Sequence, residues 1–194
     1  MLAVITTALR AAFATWVICG LVYPLAVNGL AQWLLPYQAN GSLLLASDGS
    51  VLGSALIGQN WTGPEWFHGR PSATADTPYN AANSGGSNLG PTSKALAERL
   101  RADRAAIEQG NPSGETVPAD MLTASASGLD PDISPANAAW QVPRVAQARG
   151  IPAAEVTALV EQHVAGRSLG LFGEPHVNVL ELNLALQHAG GRLP

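Results

Sequence analysis

The sequence contains a single cysteine, a single lysine and few charged residues of either sign. Charged residues make up 12% of the 194, and the formal net charge is -4. Proteins that bind nucleic acid present a basic surface, so this balance argues against nucleic acid as a partner. Cys19 has no second cysteine to pair with, so core packing must hold the chain together, which its length allows.

Charged residues are also missing from most of the N-terminal region. None occurs between Arg10 and Asp48, and residues 11–31 contain only two clearly polar side chains. About 20 apolar residues span a bilayer as a helix. We therefore predict a transmembrane anchor helix over residues 11–34, with lipid around it. Pro24 is expected to kink this helix, which a membrane helix tolerates.

A cleaved signal peptide is the alternative interpretation of this region. The apolar part of a signal peptide has about 7–15 residues and precedes a small-residue cleavage site. The run here is longer and no clean A-x-A site follows it, which favours an uncleaved anchor. Arg10 and the amino terminus carry the only positive charges before the run. The positive-inside rule then places residues 1–10 in the cytoplasm and residues 35–194 in the periplasm or its equivalent.

Residues 35–194 have patterns typical of one compact α+β domain, with a short β-hairpin or sheet and several helices. Asp48-Gly49 separates two apolar runs, and glycine accepts positive φ, which predicts a hairpin with strands at 42–46 and 51–57. Apolar periodicity and helix-boundary residues predict helices over 93–109, 118–123 and 135–149, and another that begins near Pro152.

The sequence alone leaves two features of this assignment open, the effect of Pro143 and the secondary structure of residues 178–188. Pro143 lies inside the helix predicted at 135–149 and should bend or interrupt it. Over residues 178–188, Asn178 and Glu181 resemble a helix-capping pair, whereas alternating leucines compete for a strand.

A long polar and nearly uncharged segment occupies residues 68–94. It is rich in Ser, Asn, Gly, Ala and Pro. Hydroxyl and amide side chains can satisfy backbone groups in an irregular loop. A surface without charges loses little hydration energy when it docks on another protein. The pattern favours an interaction role, and the candidate interface residues are His68, Arg70, Pro71, Ser72, Tyr79, Asn80, Asn88, Asp130 and Arg144.

No catalytic or metal-binding motif is visible. Residues 84–87, Ser-Gly-Gly-Ser, match neither the G-x-S-x-G of a nucleophile elbow nor the GxxxxGK[ST] of a phosphate loop. None of the four histidines has a second His or Cys at ligand spacing. Asp130 and Asp132 precede a helix N-terminus, where the helix dipole stabilises carboxylates, and this role is favoured over a calcium site.

Several distinctive blocks follow one another along nearly the whole chain. They are QANGSL at 38–43, GSALIGQNWTG at 53–63, FHGRPSA at 67–73, YN to SGGSNLGP at 79–91, VPAD with LTASASGLDP at 117–131, WQVPRVAQARG at 140–150 and VNVLELNLAL at 177–186. In this order they resemble the KdpC family, the C subunits of the potassium-transporting Kdp ATPase. Asp132 departs from the histidine expected there.

The resemblance implies a non-catalytic accessory subunit of an ATP-driven potassium import complex in the inner membrane. The implied partners are a potassium-channel-like pore subunit, a P-type ATPase subunit and a small single-span subunit. The complex would handle ATP and potassium. This chain lacks a DKTGT phosphorylation motif and has one candidate span, so it is neither the ATPase nor a multi-span pore.

The resemblance also implies that this chain acts as a catalytic chaperone, which raises the ATP affinity of the pump subunit. The weak nucleotide-contact candidates are Ser84, Gly85, Gly86, Ser87 and Gln141. Because an exported domain cannot reach cytoplasmic ATP, we expect residues 84–88 to be structural or to contact a partner, with any effect on ATP use indirect. A membrane-anchored extracytoplasmic binding module or enzyme of unknown substrate is the alternative.

Overall fold

The computed structural model describes residues 1–110 and 116–189. Within it the chain forms two compact units, Met1–Leu52 and Gly53–Pro194.

The first unit begins with a continuous helical segment, Leu2–Leu34, that is long and apolar enough to cross a membrane. It consists of α1 (Leu2–Val17), a π-helical turn (Ile18–Val22) and α2 (Tyr23–Leu34). A helix of 33 residues is about 50 Å long, which exceeds the roughly 30 Å thickness of a bilayer's hydrocarbon core. The predicted anchor is therefore helical, and its helix begins earlier than the predicted start at residue 11.

A π-helical turn precedes Pro24 in the helix, while the kink predicted at Pro24 stays a prediction. Pro24 has no N–H to donate to the carbonyl of Gly20, and its ring would crowd that carbonyl in a regular α-helix. The π turn over Ile18–Val22 lengthens the hydrogen-bond spacing at this point. The widened turn accommodates the proline within a continuous helix.

A short helix, α3 (Pro36–Ala39), leads into the predicted hairpin of β1 (Leu43–Leu45) and β2 (Val51–Ser54). In its turn, Asp48 Oδ1 accepts the Ser50 N–H at 2.9 Å and the Ser50 hydroxyl at 2.7 Å. Gly49 has φ +83, as the Asp-Gly pair predicted. The second strand is shorter than predicted because Ser54 begins a turn, with its carbonyl accepting the Ile57 N–H at 3.2 Å.

The second unit combines helices with a small sheet that the sequence did not predict. The helices are α4 (Lys94–Gly110), α5 (Pro135–Arg149), α6 (Ala153–Gln162) and α7 (Val179–Ala189). The antiparallel sheet has the order β3 (Asp132–Ile133), β5 (His176–Asn178), β4 (Val164–Ala165). Its strands have two or three residues, which is too short for alternation to be recognised. The helix predicted at 118–123 is one 3₁₀ turn, Ala119–Met121.

Helix α5 has the boundaries that its sequence predicted. The Ser134 hydroxyl accepts the Asn137 N–H at 3.0 Å, and Gly150 follows the last turn with φ +68. Pro143 does not interrupt the helix. It lies on the exposed side, while Val142 and its neighbours on the other side are buried, so packing offsets the lost backbone hydrogen bond.

Residues 179–189 form a helix, so the strand alternative is wrong. Asn178 Oδ1 accepts the Glu181 N–H at 3.1 Å, as the capping pair predicted. Leu182 and Leu186, one turn apart, are both fully buried. Burial of the helix face that carries Leu182 and Leu186 therefore favours the helix over the strand.

The core of the second unit lies where α5, α6 and α7 meet the three-stranded sheet. Its side chains are mainly aliphatic and pack around the buried ring of Phe67. The aliphatic members include Val145 of α5, Val156 of α6, Val177 of β5 and Leu182 of α7. Phe67 thereby attaches the start of the polar segment to the core.

Truncation of a core leucine tests this arrangement. Leu186→Ala should lower the free energy of unfolding by about 2–5 kcal/mol, because a fully buried side chain leaves a cavity. Chemical denaturation of the detergent-solubilised chain measures it. The control Leu89→Ala, at a side chain 39% exposed, should change it by less than about 1 kcal/mol. Equal effects of the two changes would contradict the core described here.

Candidate functional site

Two buried side-chain amides hold the backbone of Phe67 and His68. Asn183 of α7 accepts the Phe67 N–H at 2.9 Å and donates to the Phe67 carbonyl at 2.9 Å. Gln141 of α5 accepts the His68 N–H at 2.8 Å and donates to the His68 carbonyl at 3.0 Å. In a sheet, a neighbouring strand supplies such a pair of hydrogen bonds. Here the side chains of two helices supply it.

Gln141 is also the centre of a larger polar network. Only 1% of this residue is exposed. Its Nε2 also donates to Asn137 Oδ1 at 2.7 Å, and its Oε1 accepts from Arg144 Nη2 at 2.6 Å. Asn137 in turn donates to the Asp120 carboxylate at 2.9 Å. Both heteroatoms of the Gln141 amide are therefore engaged inside the domain.

Arg144 and His68 fix the turn that precedes Phe67. Arg144 Nη1 donates to the Pro64 carbonyl at 2.7 Å. His68 Nε2 lies 2.7 Å from the Gly63 carbonyl, which requires the tautomer with a proton on Nε2. Arg144 of α5 therefore binds a turn of the chain that is distant in sequence.

Arg70 attaches the polar segment to the loop before β3. Its Nη1 forms an ion pair with Asp130 Oδ2 at 2.9 Å, and its Nε and Nη2 donate to the Thr123 carbonyl at 3.4 and 3.3 Å. The Tyr79 hydroxyl donates to the Arg70 carbonyl at 2.6 Å. The guanidinium group and the backbone carbonyl of Arg70 therefore both have partners within the domain.

Two hydroxyl groups organise the residues between Arg70 and Asn80. Ser72 Oγ donates to the Gly128 carbonyl at 2.8 Å and accepts the Tyr79 N–H at 2.9 Å. Thr74 Oγ1 donates to the Thr77 carbonyl at 2.7 Å and accepts the Asn80 N–H at 3.1 Å. The segment is a structured loop, held by hydroxyl-to-backbone hydrogen bonds of the kind the sequence predicted.

The Ser-Gly-Gly-Ser motif binds another loop of the same domain. The Ser84 hydroxyl donates to the Ser127 carbonyl at 3.0 Å, and the Gly85 N–H donates to the same carbonyl at 2.9 Å. A Cβ atom at Gly86 would lie 3.0 Å from the Ala126 carbonyl oxygen. A side chain at position 86 would therefore crowd the Ala126 backbone, which glycine avoids.

The remaining predicted interface residues have varied positions. Asn80 caps a 3₁₀ turn, Ala81–Asn83, by accepting the Ala82 N–H at 3.0 Å. Pro71 lines a groove described below. Asn88 is exposed and has φ +51. Sequence reasoning missed Asn183, whose only signal is an amide among the leucines of an apolar helix.

A groove of about 500 Å³ lies between the polar segment and α4. The segment contributes His68, Arg70 and Tyr79, and α4 contributes Arg99 and Asp103, which form an ion pair at 3.6 Å. Both arginines of the groove thus have carboxylate partners. Within the described residues, no group of three or more His, Cys, Asp or Glu side chains could hold a metal ion.

Burial shifts the pKa values of several groups around this network. Burial lowers the pKa of His68, and the positive charge of Arg144 lowers it further. Burial and the Asp130 carboxylate raise the pKa of Tyr79 to about 12. Burial also lowers the pKa of Arg144 and raises that of Asp132. His68 and Tyr79 are therefore favoured in their neutral forms, which suits groups that donate one fixed hydrogen bond each.

These features define an α+β protein with one candidate membrane-spanning helix at its N-terminus. A family model named KdpC and described as K+-transporting ATPase, c chain, matches residues 5–188. The chain therefore belongs to the KdpC family.

Curated relatives agree with this family. A protein of Rhodopseudomonas palustris is 55% identical over 99% of this chain and 100% of its own length. Relatives from Bradyrhizobium diazoefficiens and Nitratidesulfovibrio vulgaris are 57% and 59% identical, each over 90% of this chain and over 92% and 89% of their own lengths. All three are named potassium-transporting ATPase KdpC subunit.

The amide of Asn183 can be tested by a substitution of similar size. Asn183→Leu leaves the buried N–H and carbonyl of Phe67 without partners, so it should lower the free energy of unfolding by about 2–5 kcal/mol. Denaturation of the solubilised chain measures this. Asn83→Leu, at an exposed asparagine, is the matched control and should have little effect. A near-neutral Asn183→Leu would show that the Phe67 backbone does not depend on this amide.

Acid should destabilise the domain through His68. Its folded-state pKa lies below the ordinary value of 6.5, so the unfolded chain binds the proton more readily. The free energy of unfolding should fall as pH drops below about 6.5 toward the folded-state pKa, and this contribution should be constant above 6.5.

Denaturation of the wild type and of His68→Gln between pH 5 and 8 measures this effect. Glutamine keeps a donor for the Gly63 carbonyl but does not titrate, so the slope below about pH 6.5 should decrease. His188→Gln, at an exposed histidine, should retain the wild-type slope. An unchanged slope in His68→Gln would contradict the assignment.

Proposed function

We propose that this chain is the non-catalytic accessory subunit of an ATP-driven potassium import complex, where it stabilises the assembly of the pore and P-type ATPase subunits. Membership of the KdpC family and the printed names of the relatives support this proposal. The partners we assign are a potassium-channel-like subunit, the ATPase subunit and a small single-span subunit. The candidate span supplies its attachment to the inner membrane.

The orientation we propose places residues 1–10 in the cytoplasm and residues 35–194 in the periplasm. Arg10 lies at the cytoplasmic end of the proposed anchor, and no other charged residue occurs before Asp48. In this orientation the domain has no access to cytoplasmic ATP. Its influence on ATP affinity is then indirect and acts through the assembled complex.

The observation that carries this proposal is that three nucleotide candidates, Ser84, Gly85 and Gln141, bond to their own domain. Gly85 uses its N–H, and Ser84 its hydroxyl, to bind Ser127. Gln141 is buried and has both amide heteroatoms engaged. A phosphate-binding loop instead points free backbone N–H groups at its ligand. The arrangement favours structural roles for these residues.

The same reasoning disfavours potassium capture by Asp130 and Asp132. Asp130 is paired with Arg70 at 2.9 Å, which neutralises its charge. Burial raises the pKa of Asp132 and so disfavours its charged form. Neither carboxylate is therefore well suited to bind the transported ion.

Site-directed thiol labelling tests the proposed orientation. In a Cys19→Ser background, Thr157→Cys places a thiol at an exposed position of α6, and Ala3→Cys places one at the N-terminal end of the candidate span. A membrane-impermeant maleimide added to intact spheroplasts should label the chain at position 157. The variant at position 3 should react only after permeabilisation.

The reverse labelling pattern would overturn the orientation. Residues 84–87 and Gln141 would then lie on the cytoplasmic side, and ATP titration of the purified full chain would follow. Saturable binding that is lost when residues 84–87 are changed to alanine would replace the indirect role with direct contact.

A further inference from the structure

The hairpin of β1 and β2 carries an exposed apolar face. Leu43 and Leu45 alternate with the half-buried Leu44 along β1, so these two side chains point to the same side of the hairpin. They are 42% and 58% exposed, and Val51 of β2 is 59% exposed. An isolated two-stranded sheet is only marginally stable in water, so this face is expected to contact another apolar surface.

Val51 lies on the same side of the hairpin as Leu45. The Ala46 N–H donates to the Ser50 carbonyl at 2.8 Å, which pairs these two residues at the turn. The next residues outward, Leu45 and Val51, are therefore opposite each other, and side chains of opposite residues share one face of a sheet. Leu43, Leu45 and Val51 thus form one patch, which we call the hairpin face.

Hydrogen bonds tie the start of the hairpin to the end of the candidate span. The side-chain amides of Gln32, in α2, and Asn40 exchange hydrogen bonds at 3.2 and 3.1 Å. The Ser42 N–H donates to the Tyr37 carbonyl at 3.0 Å, and the Tyr37 hydroxyl donates to the Ser42 carbonyl at 3.2 Å. Residues 35–42 are therefore folded back on themselves, and β1 begins close to the last turn of α2.

The same end of the span carries residues that favour a membrane–water boundary. Trp33 and Tyr37 are both exposed, and amphipathic rings of this kind are enriched at the headgroup level. The strands of the hairpin have three and four residues, so each is no longer than roughly 15 Å. A hairpin this short, tied to the end of the span, stays within reach of the bilayer surface.

The charges near the hairpin determine how it can meet the bilayer. No charged residue occurs between Arg10 and Asp48, so the sequence of β1 and of its link to the span is uncharged. Asp48 lies in the turn, where hydrogen bonds from the Ser50 hydroxyl and N–H lower the pKa of its carboxyl and favour the charged form. A carboxylate is costly in hydrocarbon. The hairpin therefore suits an orientation along the surface and not insertion turn first.

We propose that the hairpin face lies on the membrane, with Leu43, Leu45 and Val51 at the boundary between lipid headgroups and acyl chains. The contact depends on the membrane attachment of the span, which is part of the proposed function, and it adds a second attachment beside the first. The span already holds the hairpin at the bilayer, so a small apolar face is enough and no basic residues are required.

Spin-label accessibility tests the proposal. In a Cys19→Ser background, a nitroxide is attached at Leu45→Cys or Val51→Cys of the full chain in vesicles of phosphatidylcholine and phosphatidylglycerol. Paramagnetic resonance compares collisions with oxygen, which concentrates in lipid, and with a water-soluble nickel chelate. The oxygen-to-nickel ratio should be several-fold higher than for Thr157→Cys, at an exposed position of α6. Leu25→Cys, at an exposed position of α2, is the lipid-facing reference.

The same labels in the complex with the other subunits show what covers the face. A raised oxygen-to-nickel ratio at both hairpin positions supports the proposal. A ratio like that at position 157, or a label that neither reagent reaches because protein covers it, would overturn it. Failure of the chain to join the complex would refute the proposed function, whereas the measurement on the chain alone still decides the membrane contact.

A charge placed on the hairpin face provides a second test. Leu43→Glu, measured with the label at position 51, should lower the oxygen-to-nickel ratio toward that at position 157, because a carboxylate resists contact with acyl chains. Ser47→Glu, at an exposed residue of the turn, is the matched control and should leave the ratio unchanged. Equal ratios for Leu43→Glu and the control would contradict the contact.

Discussion

The structure of the second unit depends on the pairing of two side-chain amides with one short piece of backbone. Asn183 and Gln141 bind both peptide groups of Phe67 and His68, whose neighbours in sequence form no strand pair at this point. Without these amides, polar backbone would enter the apolar core unsatisfied, which costs more than a typical hydrogen bond contributes. The Phe67 ring can fill the core because its own N–H and carbonyl are bonded. The polar segment that follows then starts from a fixed point.

Local signals in the sequence predicted the elements whose chemistry is local. The Asp48-Gly49 turn and the Ser134 cap of α5 were predicted because each depends on residues a few positions apart. The three-stranded sheet was not predicted, since its two- and three-residue strands derive their stability from partners distant in sequence. The polar network was partly predicted: Ser, Asn and Thr indicated a structured loop, but nothing indicated that Asn183 lies opposite Phe67.

The candidate interface residues differ in how many of their polar groups already have partners within the domain. Arg70 and Asp130 satisfy each other, and Gln141 is enclosed, so these residues shape the domain. Buried polar networks of this kind are demanding, because every member must find a partner.

The amide pairing also has a consequence for the order in which the domain forms during synthesis. Phe67 precedes Asn183 by 116 residues, and His68 precedes Gln141 by 73. The polar segment is therefore synthesised well before its partners leave the ribosome. It gains its native contacts only when α7, near the C-terminus, has arrived. Contacts between distant parts of a chain form slowly because a long loop must close first. A nascent or truncated chain that lacks α7 would be open to proteolysis around Phe67, so degradation could remove incomplete subunits before they enter the complex.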